Sequence, residues 1–175
     1  GGLHFTINHF INTKKEMTTH SYTLELTSSL PPAKVFKANV LEGHKFSSLA
    51  LPGIVASSAI IHGDGGVGSI RETKFTDAVP VDSVKERIDL LDKDNFECKL
   101  ALIEGGDIGD KLESATYHVK VVPAAGGGSV YKIHNEVKTC SGVEPNNEKV
   151  EESKKGITDS FKAIEAYVLA NPNCV

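Results

Sequence analysis

The stretch NNEKVEESKKGITDSFKAIEAYVLA, residues 146–170, decides the fold of this chain. Its apolar residues recur at close to 3.6 residues, so the pattern predicts one long helix with a single apolar face. Asn171 and Pro172 follow directly and mark its end. Gly156, in the middle of the helix, costs about 1 kcal/mol relative to alanine and is either a tolerated flaw or a hinge or cleared space. The apolar positions are Val150, Ile157, Phe161, Ile164 and Val168.

The sequence before this helix reads mainly as short strands separated by turns. Residues 21–26 alternate as a half-buried strand does, and a short helix is expected to begin at Pro32 and to break at Gly43. A second short helix is predicted at residues 46–50. The connecting segments are rich in glycine, aspartate and asparagine, which favours hairpins and therefore an antiparallel sheet. The other six strands are expected at residues 54–61, 69–75, 83–91, 96–103, 112–122 and 130–139.

Seven strands and one long helix predict an α+β fold. Both the sheet and the helix have an apolar face, so the sheet must curl around the helix to bury both. A sheet curved in this way often leaves a cavity where side chains are small. We therefore expect a seven-stranded curved antiparallel sheet wrapped around a long C-terminal helix, with two short helices and a large internal cavity.

Composition and charge exclude several classes of protein. The 175 residues, of which 39% are hydrophobic and 24% charged, suit one globular domain. No apolar run approaches the roughly 18 residues of a membrane span. Nineteen basic against 23 acidic residues give a net charge of −4, which argues against dedicated nucleic-acid binding. Cys98, Cys140 and Cys174 are an odd number without C-x-x-C spacing, which excludes a disulfide framework and favours the reducing cytoplasm.

The first sixteen residues differ from the rest of the chain. They end just before Met17, which is the only methionine, and they lack the marks of a secretory signal or an organelle transit peptide. We expect residues 1–16 to be a leader or an expression-derived extension, and residues 17–175 to form a single domain.

Some motifs resemble cofactor or metal sites, but the residues around them do not suit such a site. Gly63, Gly65 and Gly68 satisfy G-x-G-x-x-G, but the residues after them predict a strand, so no helix N-terminus is available for a pyrophosphate. Asp92 and Asp94 resemble the start of a calcium loop, but a polar hairpin turn suits the following residues better. The histidines lack the spacing of metal ligands. We therefore expect neither a cofactor nor a metal ion.

Four separated motifs resemble those of the plant pathogenesis-related class 10 proteins, the Bet v 1-like family of the major birch pollen allergen. They are GDGGVGS at 63–69, VKER at 84–87, IEGGDIGD at 103–110 and AIEAYVLA at 163–170, and the resemblance extends over residues 17–172. It implies the helix-grip fold, a cytoplasmic location, and an internal cavity that binds plant hormones, flavonoids and other amphipathic metabolites. The glycine-rich loop of the family corresponds to Gly63, Asp64, Gly65, Gly66, Val67 and Gly68.

The resemblance implies a cavity, and we expect residues on the inner faces of the strands and of the long helix to line it. Tyr117, Glu86 and His44 are the polar groups expected to orient a ligand. Cys98 and Leu100 stand where the family often has tyrosine, which predicts a drier cavity. Gly156 and Ser160 replace bulkier residues and predict a roomier one. The assigned lining is His44, Ile70, Val84, Glu86, Ile88, Phe96, Cys98, Leu100, Leu102, Tyr117, Val119, Ile133, Asn135, Gly156, Ser160 and Ile164.

Two enzymatic activities known in the family are alternatives to simple binding. Relatives that catalyse a Pictet–Spengler condensation use a tyrosine, a glutamate, a lysine and an aspartate. Only the glutamate is retained, as Glu86, and the other positions hold Val84, Cys98 and Tyr117, so that reaction loses its proton carriers.

Ribonuclease activity is the remaining enzymatic alternative. Glu104, Glu165 and Tyr167 match the residues usually invoked for it, and Arg71 stands where a lysine is common. The acidic net charge works against phosphate binding. The expected function is therefore binding of a small hydrophobic metabolite by a defence- or stress-related protein that does not associate with membranes, with nucleic acid a partner only under the alternative. A monomer is expected and a dimer is left open.

Overall fold

The computed structural model describes residues 17–144 and 146–175, so the extension expected at residues 1–16 lies outside the described residues. Seven strands form one sheet in the order β1-β7-β6-β5-β4-β3-β2, and every neighbouring pair is antiparallel. This confirms the predicted sheet. The strands are β1 Thr19–Ser28, β2 Val55–His62, β3 Ile70–Phe75, β4 Ser83–Asp92, β5 Glu97–Gly105, β6 Leu112–Pro123 and β7 Ser129–Thr139.

Among the described residues, three α-helices accompany the sheet. They are α1 Pro32–Phe36, which continues into a π-helical turn at Lys37–Leu41, α2 Gly43–Ala50 and α3 Asn147–Ala170. Asn146 caps α3, because its side-chain oxygen accepts hydrogen bonds from the second and third backbone N–H groups that follow it. None of the helices in the described ranges has the length and apolar content needed to cross a bilayer.

The break between the two short helices lies one residue before the position predicted for it. Glu42, with φ −119° and ψ 25°, is the non-helical residue, and Gly43 is already the first residue of α2. The carbonyl of Glu42 accepts hydrogen bonds from the backbone N–H groups of Lys45 and Phe46. These bonds start α2 directly after the break, so the second helix begins three residues earlier than predicted.

The buried core consists of two clusters. The larger joins the inner face of the sheet to α1 and α3, with Phe36, Cys98, Val119 and Phe161 among its members. The smaller joins α2 to the end of α3 through Ala38, Phe46, Ile164 and Val168. Full burial of a large apolar side chain contributes about 1.5–3 kcal/mol. The larger cluster therefore holds α1 and α3 against the sheet, and the smaller one holds α2 against α3.

Candidate functional site

A cavity of about 490 Å³ lies between the inner face of the sheet and the helices. Strands β2 to β7, the π-helical turn, α2 and α3 all contribute to its lining. Gly156 and Asp159 of α3 line the cavity and are themselves exposed, so the cavity meets solvent at this part of the helix. A Cβ atom at Gly156 would have no neighbour within 4 Å, so this glycine borders open space, one of the two roles considered for it.

More than half of the predicted lining borders this cavity. β4, β5, β6 and β7 each contribute, and α3 adds three further positions. The predicted residues that line it are Val84, Glu86, Leu100, Tyr117, Val119, Ile133, Gly156, Ser160 and Ile164.

A second, smaller cavity of about 250 Å³ lies at the amino end of α3, against β1, β5, β6 and β7. It includes Leu102 and Asn135, which were predicted to line the main cavity. The amide of Asn135 is held in place by a hydrogen bond of 3.1 Å that Nδ2 donates to the carbonyl of Thr116. In the described part of the chain, Tyr117 is the one residue that lines both cavities, so its side chain forms their shared wall.

Two predicted lining residues point away from both cavities. Arg71 and Thr73 line the main cavity from β3, and successive side chains of a strand face opposite sides, so Ile70 lies on the outer face. His44 follows Gly43, which lines the cavity, and a step of one residue turns a helix by about 100°. His44 is therefore not part of the lining. Burial lowers the pKa of His44, and the nearby guanidinium of Arg71 lowers it further.

Three further predicted residues are packed into the core or against it. Ile88 and Cys98 belong to the larger buried cluster, with 8% and 0% of their surface exposed. Phe96 precedes β5 with a positive φ of 54°, and its ring packs 5.7 Å from that of Phe36. Core side chains cover Ile88 and Cys98, and Phe36 packs against half-buried Phe96, so none of the three borders either cavity.

The buried thiol of Cys98 gives a prediction about reactivity. Burial raises the pKa of Cys98 to about 11, so at pH 8 roughly a thousandth of it is thiolate. We expect Ellman's reagent to label only Cys140 and Cys174, which are partly exposed, in the native protein. Cys98 should react only after unfolding. Since the folded state raises this pKa above its ordinary value of 9.0, the thiol should also lower stability as the pH rises from about 9 to 11.

The control for that labelling is a Cys98→Ala variant. In denaturant, one thiol fewer should react in this variant than in the wild type. In the native state, the same number of thiols should react in both proteins. A smaller number of thiols labelled in the native variant would contradict the burial of Cys98.

The main polar feature of the cavity is an ion pair between Arg71 and Glu86. Nη2 of Arg71 lies 3.1 Å from Oε1 of Glu86, and both residues line the cavity. Sequence reasoning placed Glu86 here but assigned Arg71 to the ribonuclease alternative. It also missed Thr73 and Phe75, although the alternation of these two residues with exposed Lys74 was a usable signal. Burial raises the pKa of Tyr131 and of Tyr117, so both phenols in the lining are neutral.

In the glycine-rich loop, residues 63–68, backbone N–H groups donate hydrogen bonds to side chains of the loop itself and of Ser69. The backbone N–H of Gly65 donates to Oγ of buried Ser69 at 2.9 Å, and that of Gly66 donates to Oδ1 of Asp64 at 2.9 Å. β3 follows the loop, as predicted, so no helix N-terminus adjoins it. The loop is therefore a tight connection between β2 and β3, and the amides of Gly65, Gly66 and Gly68 already have partners.

The structure does not gather the residues of the ribonuclease alternative into one site. Glu104 is paired at 3.0 Å with Lys85 on the outer face of the sheet, whereas Arg71 points into the cavity on the inner face. Tyr167 packs edge-on against a phenylalanine of α2, and Glu165 lies near the end of α3. No single space therefore brings the two carboxylates and the guanidinium to one phosphate.

Comparisons with known proteins agree on one family. The family model described as "Pathogenesis-related protein Bet v 1 family" matches residues 17–171. "Pathogenesis-related protein 1" of Asparagus officinalis is 40% identical and covers 89% of this chain and 98% of that protein. "Major strawberry allergen Fra a 1.04" of Fragaria ananassa is 39% identical, with 90% and 98% covered. The crystal structure of Ara h 8.0201 has a TM-score of 0.77 and 29% identity, and the match covers 87% of this chain and 99% of that one.

Proposed function

This chain belongs to the Bet v 1 family of pathogenesis-related proteins, and we propose that it binds small hydrophobic or amphipathic metabolites as a cytoplasmic plant protein of defence or stress. The cavity of about 490 Å³ carries the proposal. Sites for small molecules commonly measure about 300–1,000 Å³. All three cysteines are free thiols, which supports a reducing compartment.

The chemistry of the walls supports an apolar ligand with few polar groups. Val119, Ile133 and Ile164 contribute aliphatic surface, and Tyr131 and Phe161 contribute aromatic rings that pack 5.0 Å apart. A ligand that fills the space removes apolar surface from water, at about 25 cal/mol per Å², and gains dispersion contacts. An apolar cavity with a few convergent polar groups is the usual form of a metabolite site.

The test is binding of N-phenyl-1-naphthylamine, an uncharged dye that fluoresces in apolar surroundings. We expect native mass spectrometry to show one dye per chain. Ser160→Trp places an indole in the cavity from α3 and should weaken binding at least tenfold. Lys162→Trp is the matched control, because Lys162 is exposed on the same helix, and it should bind as the wild type does.

Two outcomes would overturn the proposal. The first is a wild-type protein that takes up no dye by fluorescence or mass spectrometry. The second is equal affinity of the Ser160→Trp and Lys162→Trp variants, which would place the bound dye outside the cavity.

A further inference from the structure

Two strands place a pair of opposite charges in a largely apolar cavity. Arg71 of β3 and Glu86 of β4 are directly opposed in the strand register, and both face inward. Their side chains are only 15% and 17% exposed. Charges removed from water in this way need partners, because the desolvation of each ion costs several kcal/mol.

The pair leaves much of its hydrogen-bonding capacity unused. A guanidinium carries five N–H donors, and an ionised carboxylate can accept about four hydrogen bonds. Within residues 17–144 and 146–175, Arg71 and Glu86 make one side-chain hydrogen bond, which joins them to each other. A Cβ atom at Gly43 would lie 3.0 Å from Nη1 of Arg71, so the guanidinium reaches from β3 to the start of α2. Donors on one side and a carboxylate on the other therefore border the same space.

The other titratable residues of the lining add no net charge. The phenols of Tyr117 and Tyr131 are neutral, and the negative charge of Glu86 contributes to keeping them so. Asp159 is exposed at the opening, and Lys155 compensates its charge at 2.6 Å. The interior therefore presents a cation and an anion side by side, with neutral groups around them.

This arrangement treats ligands differently according to their charge. A carboxylate that approaches Arg71 also meets the carboxylate of Glu86, and an ammonium group that approaches Glu86 meets Arg71. Each would lose its hydration and gain one attraction at the expense of one repulsion. A neutral group with a hydrogen-bond acceptor beside a donor can accept from the guanidinium and donate to the carboxylate, and it leaves the ion pair intact.

We propose that Arg71 and Glu86 make the cavity selective for uncharged amphipathic molecules that carry a hydrogen-bond donor next to an acceptor, such as a primary amide. The inference rests on the proposed binding function and adds the chemical class of the ligand. It assigns a role to both members of the pair: Arg71 excludes ammonium groups, and Glu86 excludes carboxylates.

Three probes with the same apolar body and different head groups test the inference. They are 2-naphthamide, 2-naphthoic acid and 2-naphthylmethylamine, whose heads are neutral, anionic and cationic at pH 7. Their affinities are measured by calorimetry and by displacement of N-phenyl-1-naphthylamine. We expect the wild-type protein to bind the amide at least tenfold more tightly than the acid or the amine.

Two variants that each remove one charge show which charge is responsible. Glu86→Gln should raise the affinity for the acid about tenfold relative to the amide, because Arg71 is then uncompensated. Arg71→Gln should raise the affinity for the amine in the same way. The melting temperature of each variant is measured first, and the double variant with both glutamines serves if either single variant fails to fold. That double variant should bind the amide several-fold more weakly than the wild type does, because the charge-assisted hydrogen bonds are lost.

The outcomes separate this inference from the function on which it rests. Equal wild-type affinity for the three probes, or tightest binding of the acid or the amine, overturns the selectivity and leaves the binding function standing. Binding of the dye without binding of any naphthalene probe overturns it as well. If neither the dye nor any probe binds, the proposed function fails and the inference fails with it.

Discussion

Phe46→Ala is expected to lower the free energy of unfolding by about 3–5 kcal/mol, the usual cost of removing a buried phenylalanine. Phe46 has 0% of its surface exposed, and it joins α2 to Ile164 and Val168 of α3. Its ring also meets that of Tyr167 edge-on, with 6.1 Å between centroids. Urea denaturation measures the loss, and a fall of roughly 10 °C in the melting temperature should accompany it for a domain of this size.

Leu49→Ala provides the control on the same helix. Leu49 is 45% exposed, so its replacement should change stability by no more than about 0.5 kcal/mol. Similar losses for the two variants would mean that α2 is not anchored through Phe46. Because Gly43 and Ser47 of α2 line the main cavity, the anchored helix is also part of the site.

Gly105→Ala is expected to cost about 3 kcal/mol, since it combines backbone strain with steric overlap. Gly105 ends β5 with φ +92°, in the region that favours glycine. A Cβ atom there would overlap the carbonyl oxygen of Ser83 on β4. The sequence motif that contains Gly105 therefore has a structural reason, which is the close approach of two strands at this end of the sheet.

A matching substitution at Gly106 distinguishes the cost of backbone strain from the cost of steric overlap. Gly106 also has a positive φ, of +58°, but a Cβ atom there would have no neighbour within 4 Å. Gly106→Ala should therefore cost only about 1 kcal/mol, the strain of the left-handed conformation alone. Chemical denaturation of both variants gives the difference, and an equal cost would rule out the overlap with Ser83.

The local sequence was sufficient to predict the sheet and α3. Alternation along β6 and β7 identified the inner faces, and the structure confirms burial of Ala115, Val119, Tyr131 and Ile133. A period of two or 3.6 residues is a local property, so it can be recognised without knowledge of the partner elements.

The cavity was harder to predict because space depends on distant residues. Alternation places Cys98 and Leu100 on the same face of β5, yet Cys98 is enclosed by the core and Leu100 borders the cavity. Phe96 is covered by Phe36, a residue 60 positions away in the chain. Alternation along the strand shows that a side chain points inward. Whether another side chain covers it depends on how the helices pack against the sheet.

The ion pair shows the same limit for polar groups. Glu86 was predicted in the cavity, but its partner Arg71 was not. The prediction placed Ile70 on the inner face of β3, whereas the inner face begins with Arg71. The phase of β3 is set by its register with β4, in which Arg71 opposes Glu86. A strand with charges on both faces carries a weak apolar pattern, so its register becomes clear only in the sheet.

The pairing of β1 with β7 has a consequence for the order of folding during synthesis. Thr18 and Thr139 are hydrogen-bonded across a separation of 121 residues. At roughly 5–20 residues per second, the ribosome needs about 6–24 s to make that intervening chain. β1 emerges before the other described strands and is therefore among the last to find its partner, and until then its unpaired edge can associate with other chains. Protection of this strand by a chaperone would matter more for the nascent chain than for the finished protein.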